Sequence, residues 1–312
     1  MNSIAQAGYP RLGHFTMKTA MAPTSTAVEA MDHRIQSVNR KMRELCADSG
    51  HLGDIYATAL DHHLKSGGQR ARACISLSCG TSLGLCDSDS IALAASVELL
   101  HNASLIQDDL QDRTRVRRGA PTVWKNYGAD CAIGLTDLTI AAAFRALAEV
   151  SEPKAIPGLI EHLYRAISTT LRGQTDDLDK EPQTLESALS IARRKSGPLF
   201  SLALELPLHL AGKTEYVNQA SEAAEAFGLG YQIYDDIVDL DDDLTSNSQS
   251  NTVITLTGAA SPQEALGSAR RLAQEYLETS TAIALELPSG CGQALADLAI
   301  HVRERLDTLF DE

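Results

Sequence analysis

Apolar residues recur along this chain at helical spacing, and runs of strict two-residue alternation are hard to find, so sheet is not expected. From Asp87 to Asp112 the sequence DSDSIALAASVELLHNASLIQDDLQD opens on capping residues. It then spaces Ile91, Ala94, Ala95, Leu99, Ala103 and Ile106 as a helix buried on one or more sides. Further helices are predicted over Cys131–Glu149, Pro157–Asp179, Leu185–Leu210, Tyr216–Asp241, Pro262–Leu287 and Cys291–Asp311, with Gly, Pro, Ser and Asn between them. Many long helices, short connections and no composition break predict one all-α bundle over residues 29–312. The segment DLDDDLTSNSQSN, Asp239–Asn251, is polar enough to be a mobile loop acting as a lid, or an acidic solvated helix end.

The helical pattern is interrupted by two copies of one acidic motif, Asp108-Asp109-Leu110-Gln111-Asp112 and Asp235-Asp236-Ile237-Val238-Asp239. At about 3.6 residues per turn the first and fifth positions share a helix face and the second lies on its flank. Like charges within one turn repel, so their repetition needs a reason other than helix stability. Oxygen-only ligands suit Mg²⁺, which prefers a few carboxylates together with substrate phosphates; zinc would ask for His or Cys nearby. Arg113, Arg115, Arg117 and Arg118 follow the first motif closely and can meet phosphate oxygens through their planar forks. The plainer reading of that stretch is an acidic turn neutralising itself on the surface.

Composition narrows the partners. In 312 residues there are 41 acids against 27 Lys plus Arg, a net charge of -14, which argues against a nucleic acid or an anionic membrane as the main partner. No apolar run approaches the roughly 18 residues of a membrane span. The six cysteines form no CxxC pair and are expected as buried small hydrophobes in a reducing, cytoplasmic setting. Residues 1–28 carry Arg11, His14 and Lys18 but no acid. A disordered tail is the preferred reading there, an organelle-targeting peptide the other.

Five ordered blocks carry a family resemblance: SGGQRAR (Ser66–Arg72), ELLHNASLIQDDLQDRTRVRRGAPTVW (Glu98–Trp124), GQTDDL (Gly173–Leu178), RKSGPLF (Arg194–Phe200) and FGLGYQIYDDIVD (Phe227–Asp239). Together they resemble the trans-type polyprenyl diphosphate synthases over roughly Leu64 to Gly258. The resemblance implies a single-domain isoprenoid synthase bundle with a central cavity, working as a homodimer. It implies condensation of isopentenyl diphosphate with an allylic diphosphate of C5 to C15. Asp108 and Asp112 would bind metal from one wall and Asp235 from the other, with Asp109, Asp236 and Asp239 assisting, so that three Mg²⁺ ions meet the allylic diphosphate. Arg117 and Lys195 would pair with the same group. Ser196 and Gln232 would present polar oxygens near the reacting carbons, and Arg72, His101 and Arg118 would bind isopentenyl diphosphate without metal.

The chain departs from the family pattern twice. Gln69 stands where GGKR is usual, and no lysine follows Lys213, although the family commonly supplies one soon after the second motif. A charged hydrogen bond lost to phosphate costs about 1.5–3 kcal/mol, enough to weaken binding without abolishing chemistry. Arg70 and Arg270 are the candidates to compensate. In the family a bulky aromatic five residues before the first aspartate stops chain growth early. Here that position is Ala103, beside Ser104 and one turn from Leu99, which points to geranylgeranyl diphosphate, with Phe144 as a possible floor and farnesyl or C25 and longer products as rivals. Two other functions compete. A class I terpene cyclase is disfavoured by 4% aromatic residues and a single Trp, because cyclases shape cations with aromatic walls. A catalytically weak regulatory subunit of a synthase is favoured slightly by Gln69 and the missing lysine, and disfavoured by two complete carboxylate clusters.

Overall fold

The computed structural model describes residues 25–47, 54–178, 184–240, 251–257 and 261–311. Among them the chain forms α1 (Ser25–Cys46), α2 (Ile55–Lys65), α3 (Ala71–Ser82), α4 (Asp87–Gln111), the strands β1 (Val116–Arg117) and β2 (Ala120–Pro121), then α5 (Val123–Tyr127), α6 (Ala129–Leu147), α7 (Ile156–Leu178), α8 (Leu185–Leu210), α9 (Val217–Val238), α10 (Thr252–Thr257), α11 (Pro262–Leu285) and α12 (Gln293–Asp311). The expected tail at residues 1–28 lies outside the described residues as far as 24, and α1 begins at Ser25. The expected lid lies outside them from 241 to 250. No described helix is long and apolar enough to cross a membrane.

Two compact units divide the chain. One is built from the described chain up to Leu163 together with Leu206–Thr214, the other from Tyr164–Glu205 and from Glu215 onward. In the first unit α4 packs against α1, α3 and α6. Its Leu93, Val97, Leu99 and Ile106 are buried, each worth about 1.5–3 kcal/mol against exposure. The facing stripe of α6 is small, Ala142, Ala143 and Ala146, so the two backbones come close enough for Ser96 Oγ to donate to the Ala143 carbonyl at 2.9 Å. In the second unit α9 packs on α11, and α10 and α12 join them. Ser261 and Glu264 form a reciprocal capping box that starts α11, with Pro262 at its first position, where no amide hydrogen is needed.

Two expectations are corrected. A two-stranded antiparallel ribbon, with Val116 opposite Pro121 and Arg117 opposite Ala120, follows the first acidic motif. Its loop residues Arg118 and Gly119 both have positive φ, 52° and 77°, the requirement of a tight two-residue hairpin. Strands of two residues are too short to show a two-residue period. Of the six cysteines, all unbridged, Cys86 is exposed instead of buried, because it occupies the N-cap of α4.

Candidate active site

The first unit gathers the first acidic motif and a basic loop. Asp108 lies in the last turn of α4 and Asp112 is its C-cap, donating its amide to the Asp108 carbonyl at 2.8 Å. Asp108 is half-buried and Asp112 exposed, but Asp109 between them is only 1% exposed. Arg117 Nε donates to Asp109 Oδ1 at 2.9 Å, tying the ribbon to the helix end, and Thr114 N bonds the Asp109 carbonyl. Burial raises the Asp109 carboxyl above its usual range, and Arg117 opposes the shift. The Asp109–Arg117 pair is thus a neutralising contact within this stretch, but a buried one and not a surface one. Arg113 sits over the Trp124 ring at 5.7 Å, and the Trp124 indole donates to the Thr114 carbonyl.

The block Ser66–Arg72 forms the turn between α2 and α3. Gly67 and Gly68 have φ of 92° and 138°, and Arg70, at 53°, is the N-cap of α3. A Cβ on Gly68 would fall 2.6 Å from Arg118 Nη1, so glycine is what lets two arginine-bearing segments meet. Arg118 donates to the Gly67 carbonyl. Arg72 Nη1 donates to His101 Nε2 at 3.2 Å, and His101 sits on α4. The His101 pKa lies well below the ordinary value, first from burial and then from Arg72, Arg118 and Arg70, so the ring is neutral and accepts. Arg70 is buried, pairing with Glu98 at 3.8 Å and donating to Asn39 at 3.0 Å, so its charge is tied into the fold and is not spare for a second site. The chain-length positions behave as helix core: Ala103 is 2% exposed, Leu99 is fully buried, and Ser104 bonds back to the His101 carbonyl. Phe144, on α6, is half-buried.

The second unit carries the other motif at the end of α9. Asp239 is the C-cap and donates its amide to the Asp235 carbonyl at 2.9 Å, repeating the Asp112–Asp108 relation. Asp235 is held well above the carboxylate range by burial and by Asp239 and Asp236, while Tyr231, one turn earlier, hydrogen-bonds it and lowers it. Asp236 is 6% exposed. Its Oδ1 accepts from Gln232 Nε2 at 3.0 Å and its Oδ2 from Thr252 N at 2.8 Å. Ser196 Oγ donates to Gln232 Oε1 at 3.4 Å. This bond spans α8 and α9, which approach at Gly197 and Gly228: a Cβ on Gly228 would stand 3.3 Å from Gly197 Cα. Lys195 pairs with Asp177 at 2.6 Å and Arg194 with Asp176 at 2.9 Å. Arg270, a proposed substitute for the absent lysine, instead pairs with Asp307 at 2.9 Å and lies 4.5 Å over Phe310.

The motifs thus share one pattern: first position half-buried, second buried on protein donors, fifth exposed at the C-cap. Sequence reasoning did not find Asp177, Tyr231, Asn251 or Thr252 as partners. The GQTDDL block was the signal for Asp177 and the Phe227–Asp239 block, one turn before Asp235, for Tyr231; Asn251 and Thr252 carry no periodic mark. Among the described residues no three His, Cys, Asp or Glu side chains form a cage able to hold a metal ion. The repulsion that Asp239 and Asp236 exert on Asp235 is what a bound divalent cation would relieve, and carboxylate oxygens are donors that suit Mg²⁺.

A polyprenyl synthetase family model matches residues 54–251. A geranylgeranyl pyrophosphate synthase from Geoglobus acetivorans is 32% identical over 217 residues, 68% of this chain and 67% of that protein. A geranylfarnesyl diphosphate synthase from Aeropyrum pernix is 35% identical over 57% of this chain and 59% of its own length. The chain thus spans from about half to two thirds of the length of the curated relatives it matches. The solved structure of the Geoglobus acetivorans geranylgeranyl synthetase superposes with a TM-score of 0.78 at 28% identity, covering 88% of this chain and 99% of that one. With these blocks, this all-α isoprenoid synthase fold and these matches, the chain belongs to the polyprenyl synthetase family of trans-prenyltransferases.

Proposed function

We propose that this chain condenses isopentenyl diphosphate with an allylic diphosphate of C5 to C15 and releases an all-trans prenyl diphosphate, geranylgeranyl diphosphate first. The observation that carries this reading is the basic cluster of the first unit. Arg118 reaches the glycine turn at the Gly67 carbonyl, Arg72 donates to His101, and both arginines act on that ring, which burial and their field keep neutral; we read this group as an anion receptor built without metal. It suits the diphosphate of the homoallylic substrate. His101 accepts from Arg72 and so fixes the fork's orientation.

Asp108, Asp112, Asp235 and Asp239 are the carboxylates proposed to hold Mg²⁺, which when bound stabilises negative charge on a departing diphosphate. Arg117, whose Nε is committed to Asp109, would offer its remaining N–H groups to the allylic diphosphate, and Lys195, paired with Asp177, would add a second charge. As the allylic carbon–oxygen bond breaks, its electron pair leaves with the diphosphate. The isopentenyl double bond then forms the new carbon–carbon bond, and a proton passes to the released diphosphate. Ser196 and Gln232 supply fixed dipoles that stabilise positive charge without a nucleophile strong enough to trap it. The product-length assignment rests on the small, buried Ala103. We further propose that the chain works as a homodimer.

Primer given alone and primer given with labelled isopentenyl diphosphate separate the readings. Elongation only when both are present is expected. Hydrocarbon released from primer alone would replace this function with cyclisation.

A further inference from the structure

We infer that Trp124 is a positioning residue for both diphosphates, because its indole fixes the hairpin that presents Arg117 and Arg118; the inference rests on the proposed function for what those arginines bind. The hairpin cannot hold its own place. Its strands are two residues each, Val116 is 59% exposed, and Arg115, Arg118 and Gly119 are exposed as well, so little apolar surface of its own anchors it. Its backbone also runs against preference at two points. Arg113 at φ 57° and Arg118 at φ 52° are non-glycine residues in the left-handed region. Such conformations persist where surrounding contacts over-determine them.

Those contacts converge on Thr114, where the chain leaves α4 for the hairpin. Its amide donates to the Asp109 carbonyl at 3.0 Å, and its carbonyl accepts twice, from Trp124 Nε1 at 2.7 Å and from Thr122 Oγ1 at 2.8 Å. A carbonyl oxygen has two lone pairs and an indole N–H can only donate, so both acceptor sites of this joint are filled. The Trp124 ring also lies under the Arg113 guanidinium at 5.7 Å, a cation–π contact at the first left-handed residue. Across the hairpin base the Thr122 amide donates to the Arg115 carbonyl at 3.1 Å, and Thr122 is 2% exposed. On the outgoing side His62 Nε2, from the last turn of α2, donates to the Pro121 carbonyl at 2.7 Å. Trp124 belongs to α5, which follows the hairpin, and Thr114 precedes it, so one indole ties its exit to its entrance.

From this base the two arginines reach different partners. Arg117 bonds the buried Asp109 of the first acidic motif, and Arg118 the Gly67 carbonyl of the glycine turn. A displacement at Thr114 therefore moves both arginines together, and the two substrate sites respond as one.

Trp124→Phe keeps a ring beneath Arg113 and removes the donor; Thr122→Val keeps the side-chain shape and removes the other donor. Leu147→Ala, truncating a fully buried core residue at the end of α6, supplies a destabilised protein with both donors intact. For each, the unfolding midpoint, the calorimetric affinities for inorganic diphosphate and isopentenyl diphosphate in the presence of chelator, and kcat and KM for both substrates are measured. Expected in Trp124→Phe are affinities lowered about five- to tenfold for both anions, KM raised by a similar factor for both substrates, and kcat within about twofold of wild type. Thr122→Val, the milder change, carries the same test with losses of about two- to fivefold. Leu147→Ala should leave the affinities and both KM values within about twofold of wild type while lowering the unfolding midpoint. Unchanged affinities in Trp124→Phe and Thr122→Val, a KM rise confined to one substrate, or an equal rise in Leu147→Ala overturns the inference. The anion titrations need no turnover, so they test the hairpin even if the elongation reading fails.

Discussion

At Ala103 a single side chain is asked to set the length of the product. It is small, 2% exposed, and one turn from the buried Leu99 on α4. A bulky ring at that point takes the space the growing tail would use. Ala103→Phe is expected to shorten the main product by one or more five-carbon units, read by chromatography of dephosphorylated products, and an unchanged distribution would remove Ala103 from the length assignment. A fold defect is the competing effect, since overpacking a core costs about 1–3 kcal/mol, so the variant's unfolding midpoint is measured beside it. Residue types and motif spacing make the aspartates, arginines and His101 legible in the amino-acid sequence itself. What they conceal is who holds whom: Asp109 with Arg117, Asp236 with Thr252, Lys195 with Asp177. These partners lie on other elements, and no periodicity links them.

Among elements, helix contacts decide stability and pH response. Gly230 on α9 meets α11 so closely that a Cβ would lie 2.7 Å from Leu277 Cγ and 3.2 Å from the Ala273 carbonyl. Gly230→Ala is therefore expected to destabilise by about 1–3 kcal/mol in urea unfolding, despite the better helix propensity of alanine. A gain in stability would mean the helices separate there at little cost. Between α2 and α4, His63 Nε2 donates to Asn102 Oδ1 at 3.0 Å, because Asn102 Nδ2 is already committed to the Glu98 carbonyl. Burial, with Arg118 and Arg70, lowers the His63 pKa from 6.5 to about 4. A depressed folded pKa gives stability present above the unfolded value of 6.5 and lost as pH falls from 6.5 toward about 4. The loss reaches roughly 2–3 kcal/mol. Between about pH 7.5 and 5 the wild type should lose more stability than His63→Asn; equal losses would assign the slope elsewhere. Element prediction succeeded where a long apolar pattern runs uninterrupted, as at Leu185–Leu210, whose bounds α8 reproduces. It overran at the end of α9, where the acidic motif passes into a C-cap at Asp239, and it missed the ribbon, whose signal is a turn and not a period.

For the whole chain, a net charge of -14 opposes the approach of a bare diphosphate. Local positive clusters and divalent cations must overcome that field, and the two substrates are expected to differ in which they use. Chelation of divalent metal should abolish turnover while isopentenyl diphosphate still binds calorimetrically, and Arg72→Ala should weaken that binding about tenfold or more. Loss of isopentenyl binding on chelation would show that both substrates need metal. The all-α class follows from helical spacing over the whole length, and the division into two compact units has no trace in composition, because two of its boundaries fall inside α7 and α8 and the third in the short connection between α8 and α9.

The central claim is that this chain elongates allylic diphosphates. It is tested most directly by incubating the purified protein with Mg²⁺, isopentenyl diphosphate and, separately, the C5, C10 and C15 allylic primers, and measuring the length of the dephosphorylated products. Convergence of all three primers on a C20 alcohol is the predicted result. Absence of elongation from every primer would contradict it.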